Sequence, residues 1–184
     1  GGAVRGLSYA SSAAAVGPQD APHEPETLYG VFKLGNEHAA RIYARDYGVP
    51  SLGLRPCIVF GPTRDQGLTS ALTTALKAVA LRSKFEIPFS GPVDVQFAED
   101  VAAAFIQSAF VEGHTGAEVY DLHGDALTVE DFIQAVIDVE PSASALLTAL
   151  PVPIPGNVFV DDADLVQRLG GLPKTPLHEA IRRT

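Results

Sequence analysis

Thr27-Leu-Tyr-Gly-Val-Phe-Lys33 leads into a helical pattern that lasts to Tyr47, and after Gly48 the chain continues as Ser51-Leu-Gly-Leu-Arg-Pro-Cys-Ile-Val-Phe60-Gly-Pro62. In the first part Leu28, Val31, Phe32, Ala39, Ile42 and Tyr43 are spaced to share one helix face, with Gly48 as the stop. The second part is a nearly continuous apolar run closed by Gly61-Pro62, which predicts a single strand over 51–60 buried on both faces of a parallel sheet. A helix followed by a doubly buried strand is one βα unit, so the fold class is α/β.

Upstream, Arg5 to Ser12 reads as a short strand ending in the small polar pair Ser11-Ser12, ahead of Ala13 to Val16 and the breaker Gly17-Pro18. Gln19 to Glu26 is polar and proline-rich. Downstream the pattern predicts a helix over Thr69 to Arg82, strands at Phe85 to Phe89 and Val93 to Phe97, and a helix over Glu99 to Val111 with acidic residues in its first turn. A strand at Glu118 to Leu122 follows. The capping-box sequence Thr128-x-x-Asp131 starts a helix that runs to Val139 and ends before Pro141. Pro151 to Pro155 is a connection, and Asp161 to Leu169 a last helical turn or two before Gly170-Gly171.

At 184 residues and 46% hydrophobic composition the chain can build a real core. A formal net charge of -9 argues against nucleic acid and anionic membranes as partners, since both require a basic face. Cys57 is the only cysteine, so no internal disulfide can form and a reducing cytoplasm is the expected compartment. No apolar stretch has the length of a membrane span. The chain begins Gly1-Gly2-Ala3 and contains no methionine, which reads as a processed chain or a fragment.

Tyr29 and Lys33 stand four apart, one turn above each other on the same helix face. A phenol is a poor base at neutral pH, but a neighbouring ammonium favours the phenolate and suits it to proton transfer. Spacing alone favours a plain packing pair. The order of features narrows this: a serine pair at a strand end upstream, the Tyr-x-x-x-Lys pair, then a Leu-Arg-Pro strand ending in Gly-Pro.

With those features in that order, the sequence resembles the extended short-chain dehydrogenase/reductases, the NAD-dependent epimerase/dehydratase family. The segments carrying the resemblance are Tyr9-Ala-Ser-Ser-Ala-Ala-Ala-Val-Gly17, Tyr29 to Lys33 with Glu37 one turn later, Tyr47-Gly-Val-Pro50, Leu54-Arg-Pro56 through Phe60-Gly-Pro62, Glu99-Asp-Val-Ala102 and Leu169-Gly-Gly-Leu-Pro-Lys-Thr-Pro-Leu177. It implies the C-terminal part of a Rossmann-like doubly wound parallel sheet plus a small mixed α/β substrate-binding lobe. Residues 1–62 would carry the catalytic half and 63–184 mostly the lobe, with late elements returning to the sheet.

By the same resemblance Tyr29 is the catalytic acid/base, and Lys33 binds the ribose of NAD or NADP and tunes Tyr29. Ser12 would hydrogen-bond the reacting oxygen, while Ser11, Pro56, Cys57 and Ile58 border the cofactor. A homodimer through the 27–47 helix and hydride transfer at a hydroxyl or keto group of a small-molecule or sugar-like substrate are implied as well. The family's Gly-x-x-Gly-x-x-Gly loop is absent, so a missing N-terminal segment is expected to complete the sheet. The alternative is a non-catalytic relative that kept only this lobe.

Val93 and Ile58 occupy places where nucleotide-sugar members commonly carry arginine and asparagine, which favours a less anionic substrate. Arg64 is a candidate phosphate contact or a solvated loop residue paired with Asp65. His23, His38, His114, His123 and His178 show no zinc-site spacing, so no metal is expected. His23 reads as a surface histidine of a proline-rich turn.

Overall fold

The computed structural model describes residues 7–17, 24–113, 115–154 and 161–184. In chain order the strands are β1 (Leu7–Ala10), β2 (Ser51–Arg55), β3 (Ile58–Phe60), β4 (Phe85–Ile87), β5 (Pro92–Phe97), β6 (Ala117–Asp121), β7 (Asp125–Thr128) and β8 (Leu147–Ala149). The helices are α1 (Leu28–Tyr47), α2 (Ala71–Ala80), α3 (Ala98–Phe110), α4 (Val129–Val139), α5 (Ala163–Leu169) and α6 (Leu177–Arg183). Arg5, at the start of the strand expected upstream, and His23 and His114 lie outside the described residues.

A parallel sheet runs β1-β2-β6, a mixed sheet runs β3-β5-β7, and β4 pairs in parallel with β8. This is the expected α/β class, with one clear correction. The single strand anticipated over 51–60 is two strands in two different sheets: β2 pairs with β1 and β6, whereas β3 pairs with β5, placing Ile58 opposite Val95. Pro56 is the physical reason, because it has no N–H to give a ladder and interrupts the strand where it occurs. β7, β8 and α6 were not anticipated; each is too short to carry its own period. β7 forms because β5 supplies an antiparallel partner, with Val93 opposite Leu127.

Local chemistry sets the ends of the long helix. Thr27 Oγ1 accepts the Gly30 N–H at 3.0 Å, and Gly48, at φ 64°, closes the last turn by donating to Ala44. The capping box of α4 forms as read, Thr128 and Asp131 each satisfying the other's backbone N–H.

β5 is buried on both faces. Val93, Val95 and Phe97 look into the larger core, where the Phe60 ring meets Phe97 at 5.9 Å and Phe132 edge-on at 5.3 Å, with Leu72, Val136 and Ile181 packed around them. Burying each such large side chain contributes about 2 kcal/mol. A smaller core of Leu52, Leu54, Val101, Ala104, Leu122 and Leu165 lies against the parallel sheet. Among the described residues no helix is long and apolar enough to cross a membrane.

Candidate active site

β1, β2 and β6 run in the same direction, so their C-terminal ends Ala10, Arg55 and Asp121 form one rim, and in open parallel sheets that rim is where ligands bind. Helix α1 packs across it. Its N-terminal half comes so close to the turn after β1 that a side chain at Gly30 has no room: a Cβ there would stand 2.2 Å from the Ala14 carbonyl oxygen.

Tyr29, Lys33 and Glu37 lie along one face of α1. The Lys33 ammonium donates to the Ala10 carbonyl at 2.8 Å and sits 5.5 Å from the centre of the Tyr29 ring. Tyr29 itself is 56% exposed. Ser12 caps the short 3-10 helix Ala13–Ala15, its Oγ accepting the Ala14 N–H at 3.2 Å, which leaves the hydroxyl proton free to donate. The structure thus places Ser12, Tyr29 and Lys33 around the end of β1.

Ser11 is placed differently. It is buried, and its hydroxyl donates to Glu37 Oε1 at 2.5 Å. Glu37 is fully buried and takes a two-pronged pair from Arg55 at 2.8 and 2.7 Å, while Arg55 also stands 3.6 Å from Asp121. Burial pushes the Glu37 carboxyl up, but the hydrogen bonds from Arg55 and Ser11 outweigh it and hold the group below the ordinary carboxylate range. Tyr9, close by, is pushed up to about 12 by burial and by the Glu37 anion. The side chain of Ser11 therefore ties the rim together from beneath and does not open toward the surface.

Pro56, Cys57 and Ile58 follow the rim. The Pro56 carbonyl accepts the Ala13 N–H at 3.1 Å, joining this segment to the Ser12 turn. Cys57 is half-buried, its thiol pushed up to about 11 by burial and by Asp94, and its N–H donates to Gln96 Oε1 at 3.3 Å. Ile58 and Val93 are buried. Arg64 turns back on its own loop, bonded to the Gln66 carbonyl and, at 3.0 Å, to Thr69, while Asp65 pairs with Lys77 at 3.2 Å.

One cluster went unread in the sequence. Asp94 and Gln96, two apart on β5, are both buried on the face opposite Val93, Val95 and Phe97, and Asp94 pairs with His123. The signal was present as polar residues alternating with apolar ones in Val93 to Phe97. It does not show that the polar face is buried. His123 borders a cavity of 260 Å³ that also touches Phe60, Leu122, Asp125 and Lys174. Among the described residues no three His, Cys, Asp or Glu side chains gather as a metal site.

The family model for the NAD dependent epimerase/dehydratase family matches residues 3–117. A curated relative, an uncharacterized 37.6 kDa protein in the cld 5' region of Escherichia coli O111:H-, is 28% identical over 210 residues, covering 97% of this chain and 61% of its own length. Among solved structures, L-threonine dehydrogenase from Phytophthora infestans superposes with a TM-score of 0.82 at 15% identity, over 95% of this chain and 62% of that one. UDP-N-acetylglucosamine 4-epimerase from Methanobrevibacter ruminantium M1, in complex with UDP-N-acetylmuramic acid, gives 0.78 at 19% identity, over 97% and 62%. A point mutant of UDP-glucuronic acid 4-epimerase from Bacillus cereus, in complex with a fluorinated UDP-sugar and NAD, gives 0.79 at 19%, over 97% and 59%. The chain spans about three fifths of the length of these relatives. The structural likenesses establish the fold, and the match to the family model over more than half of the sequence establishes descent: this chain belongs to the NAD dependent epimerase/dehydratase family.

Proposed function

We propose that the chain is the catalytic and substrate-side part of an NAD(P)-dependent epimerase, dehydratase or dehydrogenase that moves a hydride between cofactor and a carbon bearing a hydroxyl or keto group. The observation that carries this reading is the Lys33 ammonium, held by the Ala10 carbonyl at 2.8 Å and beside the exposed Tyr29 ring, with Ser12 at the same strand end. These residues fit the nicotinamide-ribose end of a dinucleotide: Lys33 has donors left for ribose hydroxyls, and Pro56 and Cys57 border the same end of the sheet. They offer no Gly-rich cradle for a pyrophosphate, which an N-terminal segment beside β1 would supply.

When bound, the nicotinamide supplies the hydride acceptor and donor. Tyr29 exchanges the proton of the substrate oxygen, and Ser12 donates its free O–H to that oxygen as charge develops on it. Lys33 puts a positive charge beside the Tyr29 phenol whose oxygen exchanges the proton. The substrate is a small alcohol or ketone less anionic than a diphosphate sugar, a reading supported by buried, apolar Ile58 and Val93 and by Arg64 being engaged within its own loop. A second copy along α1 is part of the same reading, because Val31, Phe32, Ile42, Tyr43 and Tyr47 leave an apolar strip exposed there.

The test is a fluorescence titration with NADH of the 184-residue chain and of the chain extended by an N-terminal segment carrying the Gly-rich loop. Binding to the extended form, lost in Lys33→Ala, is the expected result. No binding to either form overturns the cofactor reading.

A further inference from the structure

Besides the helical connection from β5 to β6, the chain passes between its two larger sheets by two short, neighbouring crossings, once from β2 to β3 through Pro56 and Cys57, and once from β6 to β7 through Leu122, His123 and Gly124. Buried Gln96 fastens both crossings to β5, and buried Asp94 fastens the second and bonds to Gln96. Gln96 Oε1 accepts the Cys57 N–H at 3.3 Å, and Gln96 Nε2 donates to the Leu122 carbonyl and, at 3.1 Å, to Asp94 Oδ1. Asp94 Oδ1 also accepts the Gly124 N–H at 2.9 Å, and Asp94 Oδ2 pairs with His123 Nδ1. Gly124 runs so near β5 that a Cβ would stand 2.0 Å from the Val95 carbonyl oxygen, so no side chain fits at this crossing.

The first crossing is in turn bonded to the Ser12 turn, through the Ala13 N–H to the Pro56 carbonyl at 3.1 Å. A continuous set of hydrogen bonds therefore runs from Asp94 through Gln96, Cys57 and Pro56 to the residues beside Ser12. A buried amide and carboxylate would cost free energy if left unbonded, so a fully used pair of this kind holds its partners firmly.

We propose that Asp94 and Gln96 are positioning residues that hold both crossings between the sheets and thereby set the placement of the Pro56–Ile58 segment and the Ser12 turn at the cofactor end of the cleft. The consequence for the cofactor rests on the function proposed above; the consequence for Cys57 does not. Gln96→Met removes the amide while keeping the side-chain length. Cys57 is the chain's only cysteine, so its alkylation by iodoacetamide reports on this segment without cofactor or substrate. Losing the amide's bonds is expected to raise the alkylation rate about tenfold.

Leu165→Ala, in the separate core under the parallel sheet, serves as a control for general loosening at a comparable drop in Tm. A Cys57 rate in Gln96→Met well above that of the control, together with NADH binding about tenfold weaker than wild type in the extended chain, supports the proposal. A rate no higher than the control overturns it, as does unchanged NADH affinity where wild type binds. If wild type binds no NADH, the cofactor reading falls and the alkylation rates alone decide whether Gln96 holds the segment.

Discussion

Helix α1 uses one face in two opposite ways. Its first two turns present Tyr29 exposed at the surface and Lys33 partly buried and bonded to the Ala10 carbonyl, whereas Glu37, one turn further on, is entirely buried and bonded to Ser11 and Arg55. The two halves divide the work. A phenol proposed to exchange a proton with substrate has to be reachable by it, so little of the stability can depend on it; a buried carboxylate bonded to neighbouring strand ends can hold the helix in place only because nothing reaches it. Substitutions along this one face should therefore separate stability from chemistry.

The largest effect is expected from Glu37→Ala, which removes the two-pronged partner of Arg55 and leaves it only the longer 3.6 Å pair with Asp121; a loss of about 3–5 kcal/mol in chemical denaturation is expected. A loss below about 1 kcal/mol would erase the contrast between the two halves. Gly30→Ala comes next, because its methyl group collides with the Ala14 carbonyl, and about 1–3 kcal/mol should be lost.

Acid provides a third probe of the buried half. The Glu37 carboxyl, ordinarily near 4.5, titrates lower in the folded chain, so below the ordinary value the unfolded chain binds the proton more readily than the folded one. Its contribution is complete above about pH 4.5 and is lost as pH falls through the lowered value. Acid-unfolding curves of wild type and Glu37→Gln should therefore converge as the pH drops; curves that stay parallel would show that the pair contributes nothing through ionisation.

The N-terminal half should behave in the opposite way. Lys33→Ala loses one hydrogen bond to Ala10 and should cost no more than about 1.5 kcal/mol of stability while NADH binding disappears from the extended chain. Tyr29→Phe should leave stability within about 0.5 kcal/mol of wild type. Its effect should appear only in hydride transfer, measured as NADH turnover once a substrate is found. A Tyr29→Phe variant that turns over normally would remove Tyr29 from the chemistry and leave it as surface.

Much of this arrangement was legible beforehand, and for identifiable reasons. Thr27 and Gly48 mark the ends of α1 by local hydrogen bonding and backbone preference, and the Thr128 to Asp131 capping box depends on four consecutive residues. Tyr29 and Lys33 come together because a helix repeats nearly every four residues. Ser11 and Ser12, by contrast, are adjacent and chemically identical, and nothing local distinguishes the one that meets buried Glu37 from the one that caps the following turn. The division follows from β1 ending at Ala10, which turns the two side chains to different sides.

Short-range physics, read directly along the chain, was enough for the α/β class, the placement of the long helix and its caps, and the Tyr29 and Lys33 pair, while the family came from the resemblance carried by the order of the motifs. Long-range contacts were needed to divide the 51–60 run between two sheets, since β2 and β3 take different partners on either side of Pro56. They were needed again to bring Asp94, Gln96 and His123 together, and to set Glu37 against Arg55 across 18 positions. Partner choice between distant strands, and the burial of a polar face it creates, depend on segments far apart in the chain, and no local pattern of residues encodes which of them will come into contact.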